Sequence, residues 1–554
     1  MAGRSAANGS SKGRSHRRIS QMPDVVIVGA GASGGAAAWR LARAGLRVTC
    51  LEQGDWVDPD ATPSLRPDWE IARQTTHHPN PNVRAAPQDY PVDQTDAAIK
   101  PFLYNAVGGS TILWGAHFPR FRPSDFRTRT LDGVGDDWPI CYEDLAPYYE
   151  ENDRMMGVSG LAGDPGNPPR EPRQMPPVPP GKAGVRMAKA FDRLGWHWWP
   201  ADVAINTAPY GEGRGACNNC GPCDLGCPHG ARSATDVSYW PQAIAAGVEL
   251  ITGARVFEVE TDAAGRATGV AWYDRAGQVQ RTKAAVVALA SNGVGTARLM
   301  LLSTSKRFPN GLANDTDLVG RRLMHHPTGM VTGRFDEPMD GWAGPFAVSI
   351  LSQEFYETRP EHDFSRGYQM QLIRSDGPVG TAVGGYLPRV PWGAGHHARF
   401  RDVFGHTASL TVTTEDLPRP ENRVTLSDSL TDSDGIPAPK MTYSLDDNTR
   451  AMIAHGIARA TEAFTEAGAA DITAQSLVAD AGFHLLGTAC MGADAGSSVT
   501  NAKSRAHAVP NLVILDGSVF TTAAALNPTS TIQALALRAA DALIRDRAEL
   551  EVAS

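Results

Sequence analysis

The chain has 554 residues, of which 42% are hydrophobic and 20% charged, with a formal net charge of −8. That length exceeds one compact core and predicts two domains in one enzyme-sized unit, and the apolar content excludes global disorder. The acidic balance makes nucleic acid an unexpected partner, and no run of about 18 apolar residues is present to span a membrane.

Residues 1–22 are rich in Ser, Gly and Arg and are expected to form a disordered tail. Arg17-Arg18 suggests a twin-arginine signal, but no apolar region follows it. The expected location is the cytoplasm, or export in folded form with a signal-bearing partner subunit. Residues 25–28 are a short β-branched run suited to a buried parallel strand. A Gly-rich turn, a helix over 33–44 and a strand over 47–51 ending at Glu52 complete a βαβ unit. Residues 55–100 are polar and Pro-rich and read as loop, and 142–156 read as helix. Eight prolines between 160 and 181 exclude helix or central strand, so this is a linker or lid; 183–194 is helical again.

A second βα alternation starts near 237, with strands over 248–252, 256–261, 267–274 and 284–290 and a helix over 295–303. Between 330 and 445, alternation such as Ser409-Leu410-Thr411-Val412-Thr413 predicts a half-exposed antiparallel sheet. A helix over 447–467, a strand over 512–515 and a helix over 530–546 close the chain. The fold class expected is α/β. A Rossmann-like dinucleotide domain is assembled from discontinuous segments (23–130, 215–325, 480–554). A β-rich substrate domain of antiparallel sheet plus helices, with its lid, comes from 131–214 and 326–479.

The dinucleotide site is Gly29-Ala30-Gly31-Ala32-Ser33-Gly34-Gly35. Gly29 allows the tight turn, Gly31 lets backbone approach a pyrophosphate, and Gly34 lets the helix pack closely. The helix N-terminus beginning at Ser33 offers N–H groups to phosphate. Glu52 follows 21 positions after Gly31, as ribose recognition requires. Leu512-Val513-Ile514-Leu515-Asp516-Gly517 returns a strand-plus-acid element near the C-terminus, which suits a longer dinucleotide with its own flavin contacts.

These pieces, with Val107-Gly108-Gly109-Ser110-Thr111, Leu289-Ala290-Ser291-Asn292-Gly293, Val319-Gly320-Arg321-Arg322-Leu323-Met324-His325-His326 and Asn527-Pro528-Thr529, resemble the glucose–methanol–choline (GMC) family of flavin oxidoreductases. Within it the chain is most similar to bacterial gluconate, sorbitol, fructose and glucose dehydrogenase large subunits, on Trp114, Arg120-Phe121, Asp125-Phe126 and the run 133–140. The resemblance implies FAD, with Gly108, Gly109 and Ser110 beside the flavin, Asp516 and Gly517 near the pyrophosphate and ribityl chain, and Val256, Asn527 and Thr529 as further cofactor contacts. His117 is out of register with the flavin-linking histidine of some relatives, so the FAD is expected to be noncovalent.

Oxidising an alcohol needs a base for the hydroxyl proton and an acceptor for the hydride. Histidine suits the first role at neutral pH. His484, in Gly482-Phe483-His484-Leu485-Leu486-Gly487-Thr488, matches the family's active-site histidine; Asn527 matches its second position, where it also reads as a cap before Pro528. The adjacent pair His325-His326 reads as an improbable metal site, because strand neighbours point to opposite faces.

The chain has seven cysteines, and Cys217, Cys220, Cys223 and Cys227 form a C-x2-C-x2-C-x3-C-P run, a ferredoxin spacing for iron–sulfur ligation. Ferredoxin logic selects Cys217, Cys220 and Cys223 for a [3Fe–4S] cluster, whereas the bacterial relatives' positions fall on Cys217, Cys223 and Cys227. Structural zinc or bare thiols are the alternatives. The function expected is FAD-dependent oxidation of a sugar, polyol or other alcohol. Electrons would leave through the cluster to a small subunit, quinone or cytochrome partner. The alternatives are an oxidase using oxygen, and a flavin-bearing lyase or non-catalytic flavoprotein.

Overall fold

Val25–Val28 is the central strand of a five-stranded parallel sheet in a computed structural model that describes residues 22–385 and 390–550. The expected tail therefore lies, except for Met22, outside the described residues. Strand order is Leu512–Ile514, Val286–Leu289, Val25–Val28, Val48–Glu52, Glu249–Thr252, with every neighbouring pair parallel. Val25 and Ile27 pack into one apolar cluster and Val26 and Val28 into another. Burial on both faces is why this strand carries no polar alternation; each such side chain contributes about 1.5–3 kcal/mol on burial.

The chain leaves Val25–Val28 for Val48–Glu52 on one side, while Val286–Leu289 lies on the other. The crossovers diverge there, which opens a crevice at the carboxyl ends of the strands. Helix Ala32–Arg43 and the last helix, Thr529–Arg545, share one face of the sheet, and Arg40 ties them through Asp541 at 2.7 Å.

The second large sheet has six strands, ordered Asp471–Gln475, Thr328–Arg334, Thr407–Thr414, Tyr368–Ile373, Ile350–Ser352, Trp199–Pro200, all antiparallel. Its apolar face, including Val331, Met370, Leu372, Leu410 and Val412, packs under helix Asp447–Glu466. That helix starts at Asp446, whose side chain accepts the Thr449 N–H, and buries Met452, Ile453, Gly456, Ala460, Ala463 and Phe464 at helical spacing. The two layers touch closely: a Cβ on Gly456 would lie 2.3 Å from Val412, and one on Gly333 would lie 2.4 Å from Phe464. Trp196 packs edge-on against Phe355.

The expected loop over 55–100 contains helices Trp69–Gln74 and Pro81–Arg84 and strand Asp93–Ala97, which pairs in parallel with Pro437–Tyr443. The sequence Asp-Gln-Thr-Asp-Ala carries no apolar alternation because this edge strand is only partly buried. Val279–Lys283, also unexpected, is a mostly exposed edge strand beside Ala267–Tyr273. Among the described residues no helix is long and apolar enough to cross a membrane.

Candidate active site

A cleft of about 1530 Å³, solvent included, runs along the carboxyl ends of the parallel strands. Gly29, Gly31, Ser33, Glu52, Gly109, Ser110, Val256, Asp516, Gly517, His484 and Thr529 all line it. Gly34 and Gly108, also expected at the cofactor, lie behind its wall. A Cβ on Gly34 would sit 2.0 Å from the Gly29 carbonyl oxygen. Gly108, at φ +101°, donates its N–H to Ala30 at 2.9 Å and so ties the second glycine loop to the first.

This cradle fits a dinucleotide. A Cβ on Gly31 would meet nothing nearer than the Gly109 Cα at 3.8 Å, so backbone stands open to the cleft at that point. The helices that begin at Ala32 and Thr529 both present their N-termini to the cleft, and neither is capped by a side chain. Uncapped N–H groups at the positive ends of two helices form an anion cradle. Glu52 is buried, and its carboxylate accepts the N–H groups of Ala30 (2.7 Å) and Gly54 (2.9 Å). Burial pushes it up to about 7, against the lowering effect of those amides. Asp516 is likewise buried and accepts from Thr296 and from the Ser518 amide, while its burial raises its pKa.

A second cavity opens onto this cleft. His484, Thr529, Trp114, Leu113, Phe102 and Phe483 line both. Its floor is the polar face of the six-stranded sheet. Thr328, Thr413 and Gln369 lie in one cross-strand row, and Met330, Thr411 and Gln371 in the next. Residues two apart on each strand share this face, while their neighbours face the helix layer. Val348, Ile373 and Phe346 extend the walls, and Arg374, Arg73 and Asp224 add charged groups to the lining.

His484, half-buried, stands where the two spaces meet, with its Nδ1 2.8 Å from Nδ1 of His326. Its burial, and then the nearby imidazoles of His326, His325 and His117, hold it well below the ordinary histidine value. Asn527 lines the substrate-side cavity. Its Oδ1 accepts from Gln371 (2.7 Å) and Gln369 (3.3 Å) and lies 2.7 Å from Nδ1 of His117. Pro528 takes the helix N-cap position with no side-chain bond, so the expected cap gives way to this cross-sheet clamp. The Nε2 of His117 is buried without a partner, and burial lowers that ring to about 4. Sequence reasoning missed His326, Gln369 and Gln371. The only signal available was the period-2 pattern of the strand bearing the glutamines.

The cysteine run lies beside the second cavity. The Sγ of Cys223 is buried and accepts the N–H of Phe346, a cavity-wall residue, at 3.3 Å. Cys227 accepts the Arg232 N–H and Cys217 the Asn219 N–H, while Cys220 is exposed. Among the described residues no three His, Cys, Asp or Glu side chains form a metal-holding group, so the structure does not bring the four expected ligands together as a set. Three of the four thiols thus accept separate backbone N–H groups, Cys223 from outside the loop.

Comparison with known proteins places this geometry. Signatures described as GMC oxidoreductase match residues 201–328 and 418–536, and one described as FAD dependent oxidoreductase matches 24–63. The chain is 42% identical to 2-methyl-1,2-propanediol dehydrogenase of Mycolicibacterium austroafricanum, over 94% of this chain and 95% of that protein. It is 32% identical to the fructose dehydrogenase large subunit of Gluconobacter japonicus, over 94% and 98% of the two chains. It is 33% identical to 6'''-hydroxyparomomycin C oxidase of Streptomyces lividus, over 94% and 91%. The fold is shared with formate oxidase of Aspergillus oryzae (TM-score 0.65, 14% identity, 96% and 99% covered) and with pyridoxine 4-oxidase of Mesorbium loti (0.64, 16%, 94% and 99%). The parallel-sheet cleft, the β-rich layer beside it and these full-length likenesses make the chain a member of the GMC oxidoreductase family, FAD-dependent enzymes acting on CH–OH donors.

Proposed function

We propose that this enzyme is a dehydrogenase that oxidises a compact, partly apolar alcohol or diol to the carbonyl and delivers the electrons to an acceptor other than oxygen. The observation that carries the reading is the imidazole of His484 at the junction of a cofactor cleft and a substrate-sized cavity, where burial holds it well below the ordinary histidine value. Bound FAD supplies the hydride acceptor at its N5 atom. His484 takes the hydroxyl proton. Asn527, its oxygen fixed by neighbouring donors, turns its amide nitrogen to the substrate oxygen and so orients the reacting C–H.

The walls support the substrate class. Apolar residues, among them Met330, Val348, Ile373, Phe346, Trp114 and Phe102, outnumber the hydroxyl and amide side chains of the lining, and both floor glutamines already give one N–H to Asn527. A fully hydroxylated sugar would leave many polar groups unmatched there. The identity shared with a 2-methyl-1,2-propanediol dehydrogenase agrees with this choice. The cysteine spacing alone favours an iron–sulfur exit for electrons; the thiols as placed do not form such a ligand set. The relatives named as large or flavoprotein subunits support a partner that receives the electrons.

Anaerobic bleaching of the flavin against a panel of short diols, branched alcohols and sugars tests the substrate class, and we expect the diols and branched alcohols to be fastest. Iron and labile sulfide measured on the same sample test the cluster. Rapid peroxide formation in air by iron-free protein would replace this reading with an oxidase, and a flavin that no alcohol bleaches would replace it with a lyase or a non-catalytic flavoprotein.

A further inference from the structure

Met324 and Leu486 exchange both backbone hydrogen bonds, at 3.0 and 3.1 Å, as an antiparallel bridge. Two residues beyond one partner and two before the other, His326 and His484 fall on the same side of that bridge. Their rings meet at 86° with the Nδ1 atoms 2.8 Å apart. The other nitrogen of His326, Nε2, faces only acceptors: the carbonyl oxygens of Ala524 at 2.8 Å and Ala523 at 3.2 Å.

A carbonyl cannot donate, so Nε2 of His326 carries a proton. Burial drives this ring down to about 4, which keeps it neutral, and its Nδ1 is therefore a lone pair. The hydrogen in the contact between the two Nδ1 atoms then belongs to His484. No other assignment of two neutral rings satisfies all three contacts. On the carbonyl side Ala524 adopts a left-handed backbone (φ +58°), which is unfavourable for a residue with a Cβ. Strain of this kind persists where the surroundings over-determine it, often beside a site. His325, next in the chain, turns the other way, stacks edge-on against Tyr443 and donates its backbone N–H to Asp416, so it does not compete for His484 Nδ1.

We propose that His326 is a positioning residue that fixes the tautomer of His484, so that the alcohol meets an unprotonated Nε2. The proposal rests on the reading of His484 as the base. When that Nε2 takes the hydroxyl proton, the substrate O–H bond breaks and an N–H bond forms, and His484 becomes a cation with hydrogen on both nitrogens. The proton on its Nδ1 can then shift toward His326, whose own N–H stays on the two carbonyls, so the charge is shared by two rings.

The test uses FAD-loaded enzyme labelled with 15N at histidine. In the wild type we expect His484 to show a protonated Nδ1 and an unprotonated Nε2. His326→Phe keeps the ring's bulk but offers no acceptor. It should retain flavin absorbance, lose the fixed tautomer in the spectrum, and reduce flavin on the order of 10- to 10³-fold more slowly with KM little changed; misorienting a catalytic histidine elsewhere costs up to about 10⁴. His326→Asn, whose Oδ1 can accept from His484 at the position of the lost Nδ1, should recover part of the rate. A wild-type spectrum with the proton on Nε2 of His484, or full-speed flavin reduction by His326→Phe, would overturn the proposal. If His326→Phe fails to hold FAD, the wild-type spectrum alone decides. If no alcohol bleaches the wild-type flavin, the assigned chemistry fails, while the same spectrum still decides the tautomer.

Discussion

In the parallel sheet, the groups expected to hold the cofactor are backbone or backbone-bonded: the glycines at 29, 31 and 109, two helix N-termini, and carboxylates that accept main-chain N–H groups. In the six-stranded sheet, what faces the cavity is side chain, set by alternation along the strands and by cross-strand register. The first region leaves little freedom in its sequence, because only glycine tolerates the close approaches. The second leaves a great deal, because any residue pair of suitable size can occupy a row. Cofactor recognition should therefore fail abruptly on mutation, and substrate handling should fail gradually.

The sharpest way to break this contrast is Gly31→Val. The added side chain points into the open cradle and meets little protein, so the fold should survive while flavin is lost completely. A folded, yellow, active variant would refute the cradle. His484→Ala, at the junction, should keep FAD and slow anaerobic flavin reduction by about 10²- to 10⁴-fold, the usual worth of a positioned base. On the substrate side Gln371→Leu removes one donor from Asn527 and should cost about tenfold in flavin-reduction rate, a net hydrogen bond of about 1–1.5 kcal/mol, with FAD content unchanged. Thr411→Val, in the same row, should shift preference among alcohols by only a few-fold, seen as changes in KM. The smallest effect expected is that of pH. A base at the ordinary value of about 6.5 would keep roughly a tenth of its active form at pH 5.5. Because His484 is held below that value, its acid limb moves to lower pH, and flavin reduction should stay nearly level from pH 7 to 5.5.

The same contrast explains what was legible beforehand. The strand at 25–28, its glycine turn, Glu52 and the C-terminal Asp516 are local patterns whose spacing carries the chemistry, and the structure places all of them at one cleft. His484 was legible only through resemblance; nothing in its own neighbourhood distinguishes it from a buried histidine. In the sequence His326 is only half of an adjacent pair. Its neighbour His325 does point elsewhere, while His326 by itself faces His484 through a pairing 162 residues apart in the chain, Met324 with Leu486. Gln369 and Gln371 acquire meaning only once their strand is in register with Asn527's loop. The cysteine run is the reverse case: its spacing is the most specific in the chain, but Cys217, Cys223 and Cys227 each accept a different backbone N–H and Cys220 is exposed.

The two floor glutamines each give an N–H to Asn527, the residue proposed to aim the substrate. On that proposal selectivity and turnover are wired together, and an engineer who recolours the floor at 369 or 371 disturbs the aim as well. Met330, Ile373 and Thr411 carry no such double duty. New substrates are best sought there, where laboratory evolution can change what the enzyme accepts without retuning how it reacts.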